Sequence, residues 1–204
     1  MTRSDTYFTI ETASEGIYKE KGSKFLAFAY PVFSEEDFKE HILELKKSHH
    51  SARHFCYAFK LGLTKNEYRY SDDGEPNNSA GKPIYGQILS KNLTYVGIVV
   101  VRYFGGTKLG VGGLVTAYKE AAANALNNAK IVGQTVNNFY RITFDYTIMN
   151  EVMTFIKQHN LNVTKQVFET SCSIEFNIRQ TEAEFIIHEL EKIDGLIVKF
   201  LKTL

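Results

Sequence analysis

The segment from residue 139 to residue 201 most constrains the fold, because its hydrophobic periodicity changes in a fixed order. Strand-like runs lie at 139–145, 161–168, 172–178 and 196–201. Apolar residues at helical spacing occupy the interval after the first run and the interval after the third. A capping box at Thr181–Glu184 is expected to begin the second of these helices. The order β-α-β-β-α-β is typical of a ferredoxin-like unit.

The N-terminal half is less regular, but it contains one strand of clear character. Tyr95–Val101 is apolar on both faces, which predicts a buried central strand. A helix predicted from about residue 114 to 127 has a face of small residues and should lie close against a sheet. We therefore predict an α+β protein with an N-terminal domain at 1–135 and a ferredoxin-like C-terminal domain at 136–204.

The charge distribution indicates an anionic partner. The formal net charge is only +1, which argues against a strong nonspecific nucleic-acid binder. Yet no acidic residue occurs between Glu75 and Glu120, an interval that contains Lys82, Lys91, Arg102, Lys108 and Lys119. No run is long enough to span a membrane, the first residues lack a signal-peptide core, and two isolated cysteines suit a reducing compartment. A cytoplasmic location is expected.

A glycine-rich segment at 102–113 lies between the buried strand and the next helix. N–H groups at a helix start favour anions, and glycines let a ligand approach the backbone closely. The candidate anion- or nucleic-acid-binding residues are Lys82, Arg102, Gly105, Gly106, Lys108, Gly110, Gly112 and Gly113. Neither the Walker nor the dinucleotide pattern is present. A turn that needs glycines for tight packing explains the same residues, so both interpretations stay open.

A second polar loop carries Asp72, Asp73 and Glu75. Three carboxylates so close together could hold a hard cation or act as general acids and bases. A hydrogen-bonded turn that caps the next helix explains the same residues, and we favour it. His54 and Cys56 share one face of a predicted strand, so a thiol–imidazole pair is a further hypothesis. The candidate catalytic residues are thus His54, Asp72, Asp73 and Glu75. No metal ligand is assigned and no cofactor is expected.

These loops resemble those of the Impact/YigZ family. The matching blocks are Ala52-Arg53-His54 with Cys56-Tyr57-Ala58, Tyr70–Pro76 with Ala80–Pro83, and Val99–Gly106 continuing through Leu109–Val115 and Ala117-Tyr118. The sequence departs from the family pattern at Asn77-Asn78-Ser79, where relatives usually have a smaller Gly-Thr type of stretch.

The resemblance implies an N-terminal domain like the second domain of a small-subunit ribosomal protein and a C-terminal domain like the last domain of the translocation elongation factor. It also implies a regulator of translation whose partners are the ribosome, RNA or a translation-related protein, with a phosphate-bearing ligand as a further possibility. Two hypotheses follow. The first is a binding protein that uses the basic glycine-rich loop. The second is a metal- or phosphate-dependent, hydrolase-like enzyme on a small molecule that uses Asp72, Asp73 and Glu75. Because no complete catalytic constellation is present, we favour the binding protein.

Overall fold

The protein, described by a computed structural model over residues 5–63, 67–169 and 171–203, forms two compact units. Residues 7–133 make up the N-terminal unit, and residues 134–203 together with Asp5 and Thr6 make up the C-terminal unit. Both units combine helices with sheets, so the predicted α+β class is confirmed. Within the described ranges, no helix is long and apolar enough to cross a membrane.

The N-terminal unit is built around a five-stranded antiparallel sheet. The five strands of this sheet are β2 (Ser14–Glu20), β3 (Ser23–Pro31), β4 (His54–Lys60), β5 (Tyr68–Ser71) and β6 (Val96–Tyr103). Two further strands, β1 (Thr6–Ile10) and β7 (Ile131–Thr135), lie mostly within residues 7–133. The helices of the unit are α1 (Glu35–Ser48), α2 (Gly81–Ser90) and α3 (Gly110–Asn128). The sheet order is β2-β3-β6-β4-β5, and β1 pairs with β7 separately.

The predicted central strand is confirmed as β6, which lies in the middle of the sheet and is buried on both faces. Ile98 and Val100 pack with residues of α2 and α3, whereas Val99 and Val101 pack with residues of α1. The sheet therefore has two helices on one face and one helix on the other, and both faces of β6 contribute to the core.

Helix α3 lies very close to the sheet, as its small-residue face predicted. A Cβ atom on Gly16 of β2 would lie only 2.2 Å from the backbone nitrogen of Ala125. The helix begins at Gly110, however, and not near Leu114 as expected. Its apolar periodicity starts only at Leu114, so the sequence does not reveal the first turn.

The C-terminal unit has the predicted element order. It contains β8 (Asn137–Phe144), α4 (Met149–Gln158), β9 (Asn162–Phe168), β10 (Cys172–Arg179), α5 (Gln180–Leu190) and β11 (Ile197–Thr203). The strands form an antiparallel sheet in the order β11-β8-β10-β9, which is the ferredoxin-like arrangement.

The predicted capping box of α5 is wrong. The helix begins at Gln180, and the Thr181 hydroxyl donates to the Asp5 carboxylate at 2.8 Å. Arg179 also donates to Asp5, at 2.7 Å. Hydrogen bonds from Arg179 and Thr181 lower the pKa of the Asp5 carboxyl from 3.8 to about 2. The Thr181 hydroxyl therefore binds a carboxylate from a distant part of the sequence and caps no N–H group of α5, while the N–H of Gln180 donates to the Val136 carbonyl at 2.8 Å.

Candidate anion-binding surface

Asp72 in the acidic loop caps a helix through backbone hydrogen bonds. Its Oδ1 accepts from the N–H groups of Ala80 and Gly81 at 2.9 and 2.8 Å, and its Oδ2 accepts from Asn78 N–H at 2.8 Å. Negative charge at a helix N-terminus is favourable, so the Asp72 carboxylate stabilises the start of α2. The N–H groups of Ala80 and Gly81 are thus already bound by the Asp72 carboxylate and are not available to an anionic ligand. Lys82, in the first turn of this helix, is exposed.

Asp73 and its neighbours also bind backbone groups. The Asp73 carboxylate accepts from Phe55 N–H at 2.7 Å, and its carbonyl lies 2.8 Å from His54 Nδ1. Because a carbonyl oxygen only accepts, Nδ1 carries a proton, which in the neutral imidazole leaves Nε2 as the accepting nitrogen. The Cys56 thiol donates to the Asp72 carbonyl at 3.0 Å. His54 and Cys56 therefore each bind the acidic loop, and the hypothesised thiol–imidazole pair is not formed.

Glu75 and Arg102 form a buried ion pair. Arg102 Nη1 lies 2.5 Å from Glu75 Oε1, with the two side chains 8% and 5% exposed. The Tyr118 hydroxyl donates to the same Oε1 at 2.8 Å, and burial raises the pKa of that hydroxyl, so it stays protonated. Arg102 therefore adds no free charge to the loop, contrary to the expectation from sequence, because Glu75 compensates it.

These contacts account for all three loop carboxylates, Asp72, Asp73 and Glu75. Each accepts hydrogen bonds from protein groups that hold the loop against β4, β6 and α2. Across residues 5–63, 67–169 and 171–203, no group of three or more His, Cys, Asp or Glu side chains is arranged to hold a metal ion. Of the two interpretations, the structure supports the hydrogen-bonded turn.

The glycines of the 102–113 segment divide into packed and open positions. A Cβ atom on Gly105 would lie 1.9 Å from the carbonyl carbon of Gly22, and one on Gly113 would lie 2.9 Å from Leu109 Cβ. Cβ atoms on the remaining three would meet nothing within 4 Å; these are Gly106, Gly110 and Gly112. No described side chain caps α3. Tight packing thus explains Gly105 and Gly113, whereas the open positions leave the backbone accessible to a ligand and anion binding there stays a prediction.

Four exposed cations lie at the end of the sheet that carries this segment, and we call them the basic rim: Lys21, Lys24, Arg53 and Lys108. Gly22, beside Lys21, is packed against Gly105, and Lys24 pairs in register with Tyr103 at the end of β6. Arg53 immediately precedes His54, which pairs with Arg102. None of the ion pairs found among the described residues involves these four cations. The predicted anion-binding residues did not include Lys21, Lys24 or Arg53, because only the packing of the β2–β3 turn on Gly105 and the pairing of β4 with β6 bring them to this end of the sheet.

A cavity of about 400 Å³ opens at the same end of the sheet. Its lining residues are Ser51, Arg53, His54, Arg102, Tyr103 and Phe104. Tyr103 is held in place because its hydroxyl lies 2.8 Å from His49 Nδ1. The cavity therefore combines two guanidinium groups, an imidazole and two aromatic rings.

The burial of Cys56 makes a prediction about thiol chemistry. Burial raises the pKa of the Cys56 thiol, and both Cys56 and Cys172 are fully buried. Because the thiolate is the reactive species, a Cys172→Ser variant should react with Ellman's reagent roughly a thousandfold or more slowly than an exposed thiol, until it is unfolded. Ser90→Cys, at an exposed position on α2, provides the fast control. Rapid labelling of native Cys56 would restore the thiol as a candidate nucleophile.

The Impact N-terminal domain family matches residues 21–126, which span the basic rim, the acidic loop and the glycine-rich segment. The chain belongs to the IMPACT family. A Bacillus subtilis protein described as IMPACT family member YvyE is 29% identical over 177 residues, covering 87% of this chain and 82% of the relative. The Escherichia coli IMPACT family member YigZ is 31% identical over 140 residues, covering 68% and 69%.

A solved structure extends the likeness to both units. It is a crystal structure described as that of a hypothetical protein, and it matches with a TM-score of 0.75 at 23% identity. The match covers 97% of this chain and 98% of the other. The two-unit α+β fold is therefore shared with a known structure, whose description names no activity.

Proposed function

We propose that this protein is a translation-associated regulatory protein that binds RNA phosphate on the ribosome through the basic rim and the first turn of α3. The observation that carries the proposal is the combination of four exposed cations with an uncapped helix N-terminus and three open glycines. Backbone N–H groups and Lys or Arg side chains are the usual partners of phosphate oxygens.

Family membership supports the link to translation, because the resemblance to the Impact family implies partners on the ribosome. The acid-free interval in the sequence is also consistent with an anionic partner, although Arg102 within it is neutralised by Glu75. Both described cysteines are free, which suits the cytoplasm where translation occurs.

The alternative of a small-molecule enzyme is not favoured by any specific observation. It relied on Asp72, Asp73 and Glu75 as metal ligands or proton carriers. All three carboxylates instead hold the loop, the helix start and Arg102 in place, so they are not free for a reaction.

Co-sedimentation with ribosomes across a salt series tests the proposal. Contacts to four phosphates predict that log K falls against log salt concentration with a slope of roughly −3 to −4. Lys108→Gln removes one cation of the basic rim and should weaken binding and reduce the slope by about 1. Arg53→Gln should behave in the same way.

Lys119→Gln is the matched control, because it removes an exposed cation from the body of α3 with the same change in net charge. This variant should bind like the wild type. Absence of association at low salt, or equal weakening by Lys108→Gln and Lys119→Gln, would refute binding through the basic rim.

A further inference from the structure

Phe104 presents an aromatic ring to solvent at the mouth of the cavity. The residue is 58% exposed and directly follows β6. The guanidinium carbon of Arg102 lies 5.6 Å from the centroid of the Phe104 ring and 5.5 Å from that of buried Phe25. A cation at this distance is attracted to the aromatic ring. The contact with Arg102 therefore holds the exposed Phe104 ring in place beside the cavity.

Arg102 retains donor capacity beneath this ring. One of its terminal nitrogens binds Glu75, but its buried Nε has no acceptor among the described residues. A buried donor without a partner is unfavourable, and such groups are rare in folded proteins. Because this Nε is itself shielded from solvent, it is not offered to a ligand, and Arg102 contributes to the cavity as a lining side chain that supports the Phe104 ring.

The remaining lining groups narrow the chemistry of a ligand for this cavity. Arg53 supplies an exposed guanidinium, and His54 offers Nε2 as an acceptor because its Nδ1 is bound to Asp73. A volume of about 400 Å³ lies within the range of small-molecule pockets. A flat aromatic group with hydrogen-bonding edges and an attached anion fits a site made of an aromatic ring, an imidazole and the exposed guanidinium of Arg53.

We propose that this cavity takes an unpaired nucleotide, whose base stacks on Phe104 and whose phosphate lies on Arg53, so that the basic rim binds single-stranded RNA. The proposal rests on the proposed function and specifies the form of RNA. In a duplex the bases are stacked inside the helix and are out of reach of a side-chain ring, whereas unpaired bases stack readily on aromatic residues. Contacts to phosphate alone would leave both Phe104 and the cavity unused.

Fluorescence anisotropy with labelled oligonucleotides tests the proposal on the full chain. Three probes of equal length are compared: a single-stranded RNA, its duplex, and a single strand that lacks bases at its central positions. The single strand should bind more tightly than the duplex. Phe104→Ala should weaken binding of the single strand roughly 5- to 100-fold with an unchanged salt slope, and Phe104→Trp should retain it.

The strand without central bases completes the comparison, because it keeps phosphates and loses the stacking partner. The wild-type protein should bind this strand about as weakly as the Phe104→Ala variant binds the intact strand. The Phe104→Ala variant should bind the strand without central bases no more weakly than the wild type does. Phe33→Ala is the matched control, since Phe33 is 55% exposed and follows β3 at the other end of the sheet.

The outcomes separate this inference from the proposed function. If duplex and single strand bind equally and Phe104→Ala has no effect while Lys108→Gln does, the basic rim binds phosphate and the nucleotide site is refuted. If none of the RNA probes binds at low salt, the nucleotide site fails together with RNA binding by the basic rim.

Discussion

Replacing Glu75 with leucine is expected to lower the free energy of unfolding of the N-terminal unit by about 3–5 kcal/mol. The substitution leaves the guanidinium of Arg102 buried without a counter-charge, because Arg102 is only 8% exposed and Glu75 provides its ion-pair partner. It also removes the acceptor of the buried Tyr118 hydroxyl. Urea unfolding followed by circular dichroism measures the loss.

A double-mutant cycle identifies the cause. Arg102→Met alone removes the charge, and Glu75→Leu combined with Arg102→Met replaces the pair with apolar side chains of similar size. The double variant should be markedly more stable than Glu75→Leu, because well-packed apolar residues often replace a buried ion pair without loss of stability. A double variant no more stable than Glu75→Leu would show that the unpaired charge is not the source of the effect.

An exposed ion pair provides the control. Glu11→Leu, which breaks the exposed pair with Lys130, should lower the free energy of unfolding by less than about 1 kcal/mol.

Gly105→Ala is expected to destabilise the N-terminal unit by about 3 kcal/mol, at the upper end of the usual cost of overpacking. The new Cβ would lie 1.9 Å from the carbonyl carbon of Gly22 and 2.2 Å from the backbone nitrogen of Ser23. Both atoms belong to the backbone of a tight turn, so no side-chain rotation relieves the overlap. Because this contact also places Lys21 beside the loop, RNA binding should weaken together with stability.

Gly112→Ala provides the contrast within the same segment. A Cβ atom at Gly112 meets nothing within 4 Å, and the residue lies in the first turn of α3. Alanine there should leave the unit as stable as the wild type, or stabilise it by about 0.4–1 kcal/mol. Thermal unfolding of both variants checks the pair. Equal destabilisation would contradict the division of these glycines into packed and open positions.

Local periodicity in the sequence is enough to predict several elements, their order and the faces that they bury. The β-α-β-β-α-β order of the C-terminal unit, the central position of β6 and the small-residue face of α3 were all predictable. Side chains alternate along a strand and recur every three to four residues along a helix, so the pattern of apolar residues shows which face is buried.

The roles of the polar residues depend on contacts between segments that are distant in the sequence. Arg102 and Lys108 are both cations six positions apart, yet one is buried against Glu75 and the other is exposed. Asp72 caps a helix that starts nine residues later, and the Thr181 hydroxyl, which was expected to cap α5, donates to Asp5 instead. The partner of a charged group depends on which distant segments pack together, so it cannot be predicted from residue type or local spacing. The packing of the β2–β3 turn on Gly105, which assembles the basic rim, depends on the same long-range contacts.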